Sequence, residues 1–204
     1  MDMSKERHII YVPGLRDQHL FNKSLARLYP LVWKPQGFHF HTISPHWEEG
    51  ISFTPKLKMI TNKIDELSVG ANHIYLLGVS AGGSAVLNAF SQRRDLISGV
   101  VNVVGRLRAG VNVKPSLDKA TKISPACRES ILSFENQNEP TLSEVDRRKV
   151  MTLRPVWDET VPKSTVSLKG AKNIVVPMVE HSLGGIAIMT IFSPMIVKFF
   201  KGLD

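Results

Sequence analysis

Short runs of β-branched and aliphatic residues alternate along this chain with longer segments whose apolar positions recur at helical spacing. The runs His8–Val12, Phe38–Ile43, His73–Leu77, Ser98–Val104, Val150–Arg154 and Asn173–Val179 predict strands. Several are apolar almost throughout (Ile9, Ile10, Tyr11 and Val12; Val100, Val101, Val103 and Val104), as strands buried on both faces should be. Helical spacing predicts helices over 17–33, 53–68, 81–94 and 163–170. The apolar stretch Ile186–Phe200 is interrupted by Ser193-Pro194, where Ser193 can cap a final helix running to Lys201 and stopped by Gly202. A buried pair of C-terminal helices is therefore expected, and the stretch is too short for a membrane span. The predicted class is α/β, with about six mostly parallel strands covered by helices on both faces.

One connection departs from this rhythm. Between the fourth and fifth strands lie the 45 residues 105–149, with helical signal at 117–135 and 141–149. A segment of this length in a compact domain carries its own structure or a function. It also carries charge. The chain has 26 Lys+Arg against 18 Asp+Glu, a net +8. Residues 105–129 hold Arg106, Arg108, Lys114, Lys119, Lys122 and Arg128 against Asp118 and Glu129, a net +4. Half the excess is thus local, and it reads either as a solvated face or as a rim that attracts acidic substrates. Stacking platforms for single-stranded nucleic acid interleave aromatics with such charges, and none occurs here before Phe134, so nucleic acid is not an expected partner.

The other compositional facts narrow the class. With 204 residues, one domain spanning 1–204 can bury a full core without staples, and 105–149 is its possible partial lid. The single Cys127 excludes an intramolecular disulfide and a Cys-built zinc site, and fits a reducing, cytoplasmic setting. It reads as a packed small hydrophobe. The polar start at Met1–Arg7 has no targeting pattern. His39 and His41 share a strand face near His46, but no Asp or Cys completes a ligand set, so no metal is expected.

The chemistry is concentrated in Gly78-Val79-Ser80-Ala81-Gly82, which follows a predicted strand and opens a helical pattern. Glycines two before and two after the serine are what a strained strand-to-helix turn requires, because side chains there would collide with neighbouring elements. The serine needs a base, and the partners in this arrangement follow in the order Ser, acid, His. His181 is the only histidine after Ser80, on a predicted loop just past the last strand. Asp158 follows the strand at 150–154 and is the candidate acid, with Glu159 the runner-up. Asp118 and Asp146, inside the long connection, read as solvated helix charges. Oxyanion donors are expected from the N–H groups of Ala81 and of Leu15, in the loop after the first strand. Gly14 would bring that loop close to the serine, and Arg16 would contact a substrate anion or pair with Asp17 at the surface. His46 and Trp47 are candidates for lining the pocket.

With these pieces, Pro13-Gly14-Leu15, Gly78–Gly82, Asp158–Pro162 and the loop at His181, the whole chain resembles the α/β-hydrolase superfamily. It looks most like its small, nearly capless members of about 200 residues, which lack the two antiparallel strands usual at the front. Pro13 departs from the histidine of many relatives, and 105–149 matches no known cap. The resemblance implies a carboxylesterase- or lipase-like serine hydrolase with a Ser80-His181-Asp158 triad, an acyl-enzyme, a small ester substrate and no cofactor. Thioesterase or peptidase chemistry, and a non-catalytic binding protein using its basic face, are the alternatives; the oligomeric state is left open.

Overall fold

The apolar runs form six strands: β1 (Arg7–Val12), β2 (His39–Thr42), β3 (His73–Val79), β4 (Gly99–Val103), β5 (Val150–Trp157) and β6 (Lys172–Val179). The computed structural model describes residues 6–70 and 72–204, so most of the polar start lies outside the described residues. The strands pair in the order β2-β1-β3-β4-β5-β6, and every pairing is parallel. The helices are α1 (Leu20–Trp33), α2 (Phe53–Ser68), α3 (Ala81–Gln92), α4 (Leu117–Ala120), α5 (Pro125–Ser133), α6 (Glu144–Arg148), α7 (His181–Met189) and α8 (Ser193–Lys201).

Strand alternation divides the core in two. Ile10, Val12, Ile74, Leu76 and Val100 pack with residues of α2, α3 and α5 on one face. Ile9, Tyr11, Tyr75, Leu77, Val101 and Val103 pack with α1, α7 and α8 on the other. This two-sided burial is why the central strands are apolar at consecutive positions. β1 lies between β2 and β3, so the chain leaves β1 to one side and returns on the other. The crevice outside the carboxyl ends of β1 and β3 is the switch point at which open α/β sheets bind ligands.

The C-terminal pair is α7 and α8, bent by 53° about their junction. Ile188, Met189, Ile196 and Phe200 of this pair are buried in the core. Among the described residues, no single helix is long and apolar enough to cross a membrane. Ser193 is the first residue of α8, its hydroxyl donating to Thr190 O at 2.7 Å, and no side chain caps the helix.

Two expectations are corrected. Residues 163–170 form only a short 3₁₀ turn at Lys163–Thr165. Their backbone groups find partners elsewhere: Thr165 O accepts from Leu107 N–H at 2.8 Å, and the Asn173 side chain bonds both Leu168 N and Leu168 O at 2.9 Å. Tertiary hydrogen bonding thus replaces a helix. Asp146 is not a solvated charge. It is buried, closes a capping box with Ser143 at the start of α6, and lies 3.4 Å from Arg94. Asp118 is exposed, as expected, and pairs with Arg128.

The histidines of β2 acquire a partner from β1. His8 Nδ1 and His41 Nε2 are 2.9 Å apart, and the His8 ring stacks between those of His39 and His41. The described residues contain no group of metal-ligand side chains arranged to hold an ion. Burial, with Lys63 and the neighbouring histidines, pushes His41 down to about 4 from its ordinary 6.5. The unfolded chain therefore binds this proton first, and stability falls as pH drops from about 6.5 toward 4. Denaturation midpoints measured across that window should decline more steeply for the native chain than for His41→Asn. Equal slopes would remove the histidine pair as the cause.

Candidate active site

Ser80 sits at the switch point, in the turn between β3 and α3, with φ 54° and ψ −118°. A non-glycine residue in such a conformation stores on the order of 1–3 kcal/mol of strain and persists only where its surroundings hold it. Two backbone hydrogen bonds do so here: Ser80 N–H to Val103 O at 2.8 Å, and Gly83 N–H to Ser80 O at 2.9 Å. The flanking glycines are sterically obligatory. A Cβ on Gly78 would lie 2.2 Å from Gly82 O, and one on Gly82 would lie 2.0 Å from Val12 O. Strand, helix and the end of β1 therefore meet at contact distance.

His181 is the first residue of α7 rather than part of a loop. Its Nε2 lies 2.9 Å from Ser80 Oγ and its Nδ1 lies 2.8 Å from Asp158 Oδ2. With the proton on Nδ1, the ring donates to Asp158 and accepts from the serine hydroxyl. Asp158 directly follows β5, where a register shift between Pro155 and Trp157 bends the strand end. Its other oxygen accepts the N–H groups of Thr160 at 2.9 Å and Val161 at 2.7 Å, so the carboxylate is fully engaged. Glu159 does not touch the imidazole; it accepts the backbone N–H of His181 at 3.1 Å. Glu180, at φ 76°, caps α7 by accepting from Leu183 N at 2.7 Å and Ser182 N at 3.0 Å. Those N–H groups hold its carboxyl below the usual range. Both neighbours of the pair thus act on the backbone that aims His181.

A narrow pocket of about 40 Å³ opens at Ser80, with Leu15 and Ala81 in its wall. Ala81 begins α3, so its N–H has no acceptor within the helix. Gly14 packs directly against the serine: a Cβ there would lie 2.8 Å from Ser80 Cβ.

No family's sequence pattern matches the chain, and no curated protein is similar to it in sequence. Solved structures are similar in shape. One, from work on LipS and LipT, two metagenome-derived lipolytic enzymes, superposes with a TM-score of 0.65 at 12% identity, over 97% of this chain and 94% of that one. The Paleococcus ferrophilus monoacylglycerol lipase gives 0.64 at 15% identity, over 98% and 97%. The putative non-heme bromoperoxidase BpoC from Mycobacterium tuberculosis gives 0.65 at 14%, over 98% and 94%. The chain has the α/β-hydrolase fold.

Within this α/β-hydrolase fold, the remaining predicted residues are distributed differently from expectation. Arg16 is exposed and does not line the pocket at Ser80. Asp17 is not its surface partner. It is buried, 4% exposed, and accepts from Ser44 Oγ at 2.6 Å, His46 N at 2.8 Å and Trp47 N at 3.3 Å. Trp47 is wholly buried in the core, not in the pocket. Its indole N–H donates to Pro13 O at 3.0 Å and its carbonyl accepts from Ser124 Oγ at 2.7 Å. A large aromatic with one donor suits this position: the ring fills the core while the N–H pins the loop that carries Leu15. His46 pairs with Glu49 at 2.7 Å and lines a separate groove that also includes Asp17 and Lys23.

The long connection is fastened to this scaffold. Ser130 Oγ meets Ser84 Oγ at 2.8 Å, and Asn88 Nδ2 donates to Ser130 O at 2.8 Å. Asn138 Nδ2 donates to Asn88 Oδ1 at 2.6 Å, and Phe53 N to Glu129 Oε2 at 2.7 Å. The connection supplies Arg106, Ala120, Thr121, Cys127 and Ile131 to the pocket. Burial raises the Cys127 thiol to about 12, so it stays protonated. Residue type alone does not single out Arg106 from its basic neighbours; that Gly105, the residue before it, abuts Ser80 O is visible only in three dimensions.

Trp47→Phe keeps the ring and deletes the donor to Pro13 O. Leaving that buried carbonyl unpaired should cost about 1–3 kcal/mol in urea denaturation. A loss below about 0.5 kcal/mol would mean the indole hydrogen bond does not hold the loop.

Proposed function

We propose that this protein is a serine hydrolase that cleaves carboxylic esters. The observation that carries the reading is the position of His181 between Ser80 and Asp158, at 2.9 and 2.8 Å. The strained turn beneath the serine and the likeness in fold to lipolytic enzymes support it.

In this reading Ser80 Oγ attacks the acyl carbon while His181 Nε2 takes its proton. Asp158 keeps the imidazole in the productive tautomer and stabilises the imidazolium, without itself taking a proton. The N–H groups of Leu15 and Ala81 face the developing oxyanion. Collapse of the tetrahedral intermediate expels the alcohol, which receives the proton from His181. A water molecule, deprotonated by the same ring, then attacks the acyl-enzyme and releases the carboxylic acid. No step calls for a metal or an organic cofactor. The pocket, about 40 Å³, is far below the roughly 300–1,000 Å³ that encloses larger ligands, which favours short acyl groups. The well-anchored segment 105–149 acts here as a fixed wall of the pocket, in place of a swinging lid.

Three substitutions test this. Ser80→Ala should abolish labelling by a fluorophosphonate and lower kcat/KM for 4-nitrophenyl acetate by about 10⁴-fold or more, with His181→Ala losing a comparable factor. Labelling that survives in Ser80→Ala would overturn the mechanism. Gly14→Ala forces a Cβ to within 3.3 Å of Ser80 Oγ and should lower kcat for acetate esters about tenfold or more. An unchanged kcat would show that the serine tolerates displacement. Thioester and amide analogues, run beside the esters, separate esterase from thioesterase and peptidase activity.

A further inference from the structure

Arg106 lies immediately after the turn that follows β4 and, among the described residues, is the one charged side chain lining the pocket at Ser80. It is 4% exposed. Its Nε donates to Arg108 O at 3.0 Å, one terminal nitrogen to Pro115 O at 2.9 Å, and the other to Ala109 O. A guanidinium has five N–H groups, so three are engaged by neutral carbonyls and two remain.

What this cation lacks is a counter-charge. Other arginines of the long connection and its borders have one: Arg108 and Arg147 share Glu139, Arg128 has Asp118 and Arg94 has Asp146. No carboxylate among the described residues lies within ion-pair distance of Arg106. Glu135 attracts it only from further off and is engaged by Ala109 N–H at 2.8 Å. The Cys127 thiol beside it is neutral. Burying a guanidinium without a partner is unfavourable, and the three carbonyls hold it in place without neutralising it. The rest of the wall is apolar or hydroxylic: Leu15, Ala81, Ile131 and Val161, with Thr121 and Thr160. In such pockets, the few polar groups fix the orientation of the ligand.

We propose that Arg106 binds a carboxylate carried by the substrate, so that the preferred esters are short and bear a second, ionised carboxyl group. This rests on the esterase reading above and specifies its substrate class. A planar carboxylate suits a guanidinium, which can offer it two donors. The small pocket favours a compact anion over a bulky one.

The test uses two matched pairs on the whole protein, with spontaneous hydrolysis subtracted. Mono-4-nitrophenyl glutarate against 4-nitrophenyl pentanoate places the charge in the acyl half. 4-Acetoxybenzoate against 4-acetoxybenzamide places it in the alcohol half. In at least one pair, kcat/KM should favour the anion by about tenfold or more. Arg106→Gln should bring that ratio close to one, while Arg106→Lys retains part of it. Free glutarate should compete with the neutral ester in the native protein, which keeps the proposal testable if Arg106→Gln does not fold. Equal or better turnover of the neutral ester in both pairs, with no competition by glutarate, overturns the proposal while leaving the esterase reading intact. If no ester is turned over and no fluorophosphonate labels Ser80, the esterase reading fails and this proposal falls with it.

Discussion

The site depends on a contact that side chains would forbid. β3, α3 and the end of β1 approach so closely that a Cβ on Gly78 or Gly82 would fall within 2.2 Å of a backbone oxygen. That approach forces Ser80 into its positive-φ turn and raises its hydroxyl out of the sheet, at the switch point between β1 and β3. The strain is held by the buried α3, whose Ala85, Val86, Leu87, Ala89 and Phe90 are fully enclosed. A looser core beneath the turn would let Ser80 relax and lose its alignment with His181.

From this point a second layer of polar contacts ties the surrounding segments together. Asp17 gathers the backbone of residues 46 and 47, Trp47 reaches Pro13 on one side and Ser124 on the other, and Ser130 meets Ser84 behind the serine turn. These groups are buried, so each lost partner would leave an unsatisfied donor or acceptor, and the network behaves as a unit. It makes the long connection part of the frame. Part of the basic character of that connection is taken up by internal pairing, with Arg108 and Arg128 bound to acids, whereas Arg106 is bound only to neutral carbonyls.

Much of the fold and of the candidate site was legible in the chain. The six strands came from consecutive apolar positions, whose pattern is imposed by two-sided burial and survives in one dimension. Ser80, Asp158 and His181 were legible because a glycine-flanked serine, an acid after a strand and a lone downstream histidine obey an order that topology imposes. The misreadings share one cause. By residue type Asp17 and Asp146 read as surface charges and Trp47 as a pocket wall, yet all are buried. The partners that bury them lie mostly far away in sequence, as with Trp47 and Ser124 or Arg94 and Asp146, although Asp146 also closes a local capping box with Ser143. Local pattern carries no information about such pairings. His8 carries no sequence signal for the same reason, since its partner His41 belongs to a different strand.

The parallel α/β sheet, the glycine-bounded turn at Ser80 and the residues that could join it are all written in the order of residues along the chain. These follow from periodicity and from steric rules that act over a few neighbouring residues. Which acid meets His181, how the 105–149 connection is fastened down, and that Arg106 lines the serine's pocket with no carboxylate among the described residues at ion-pair distance emerge only on folding. Each of these depends on distances between segments remote in the chain, and burial sets the strength of every charge and hydrogen bond among them.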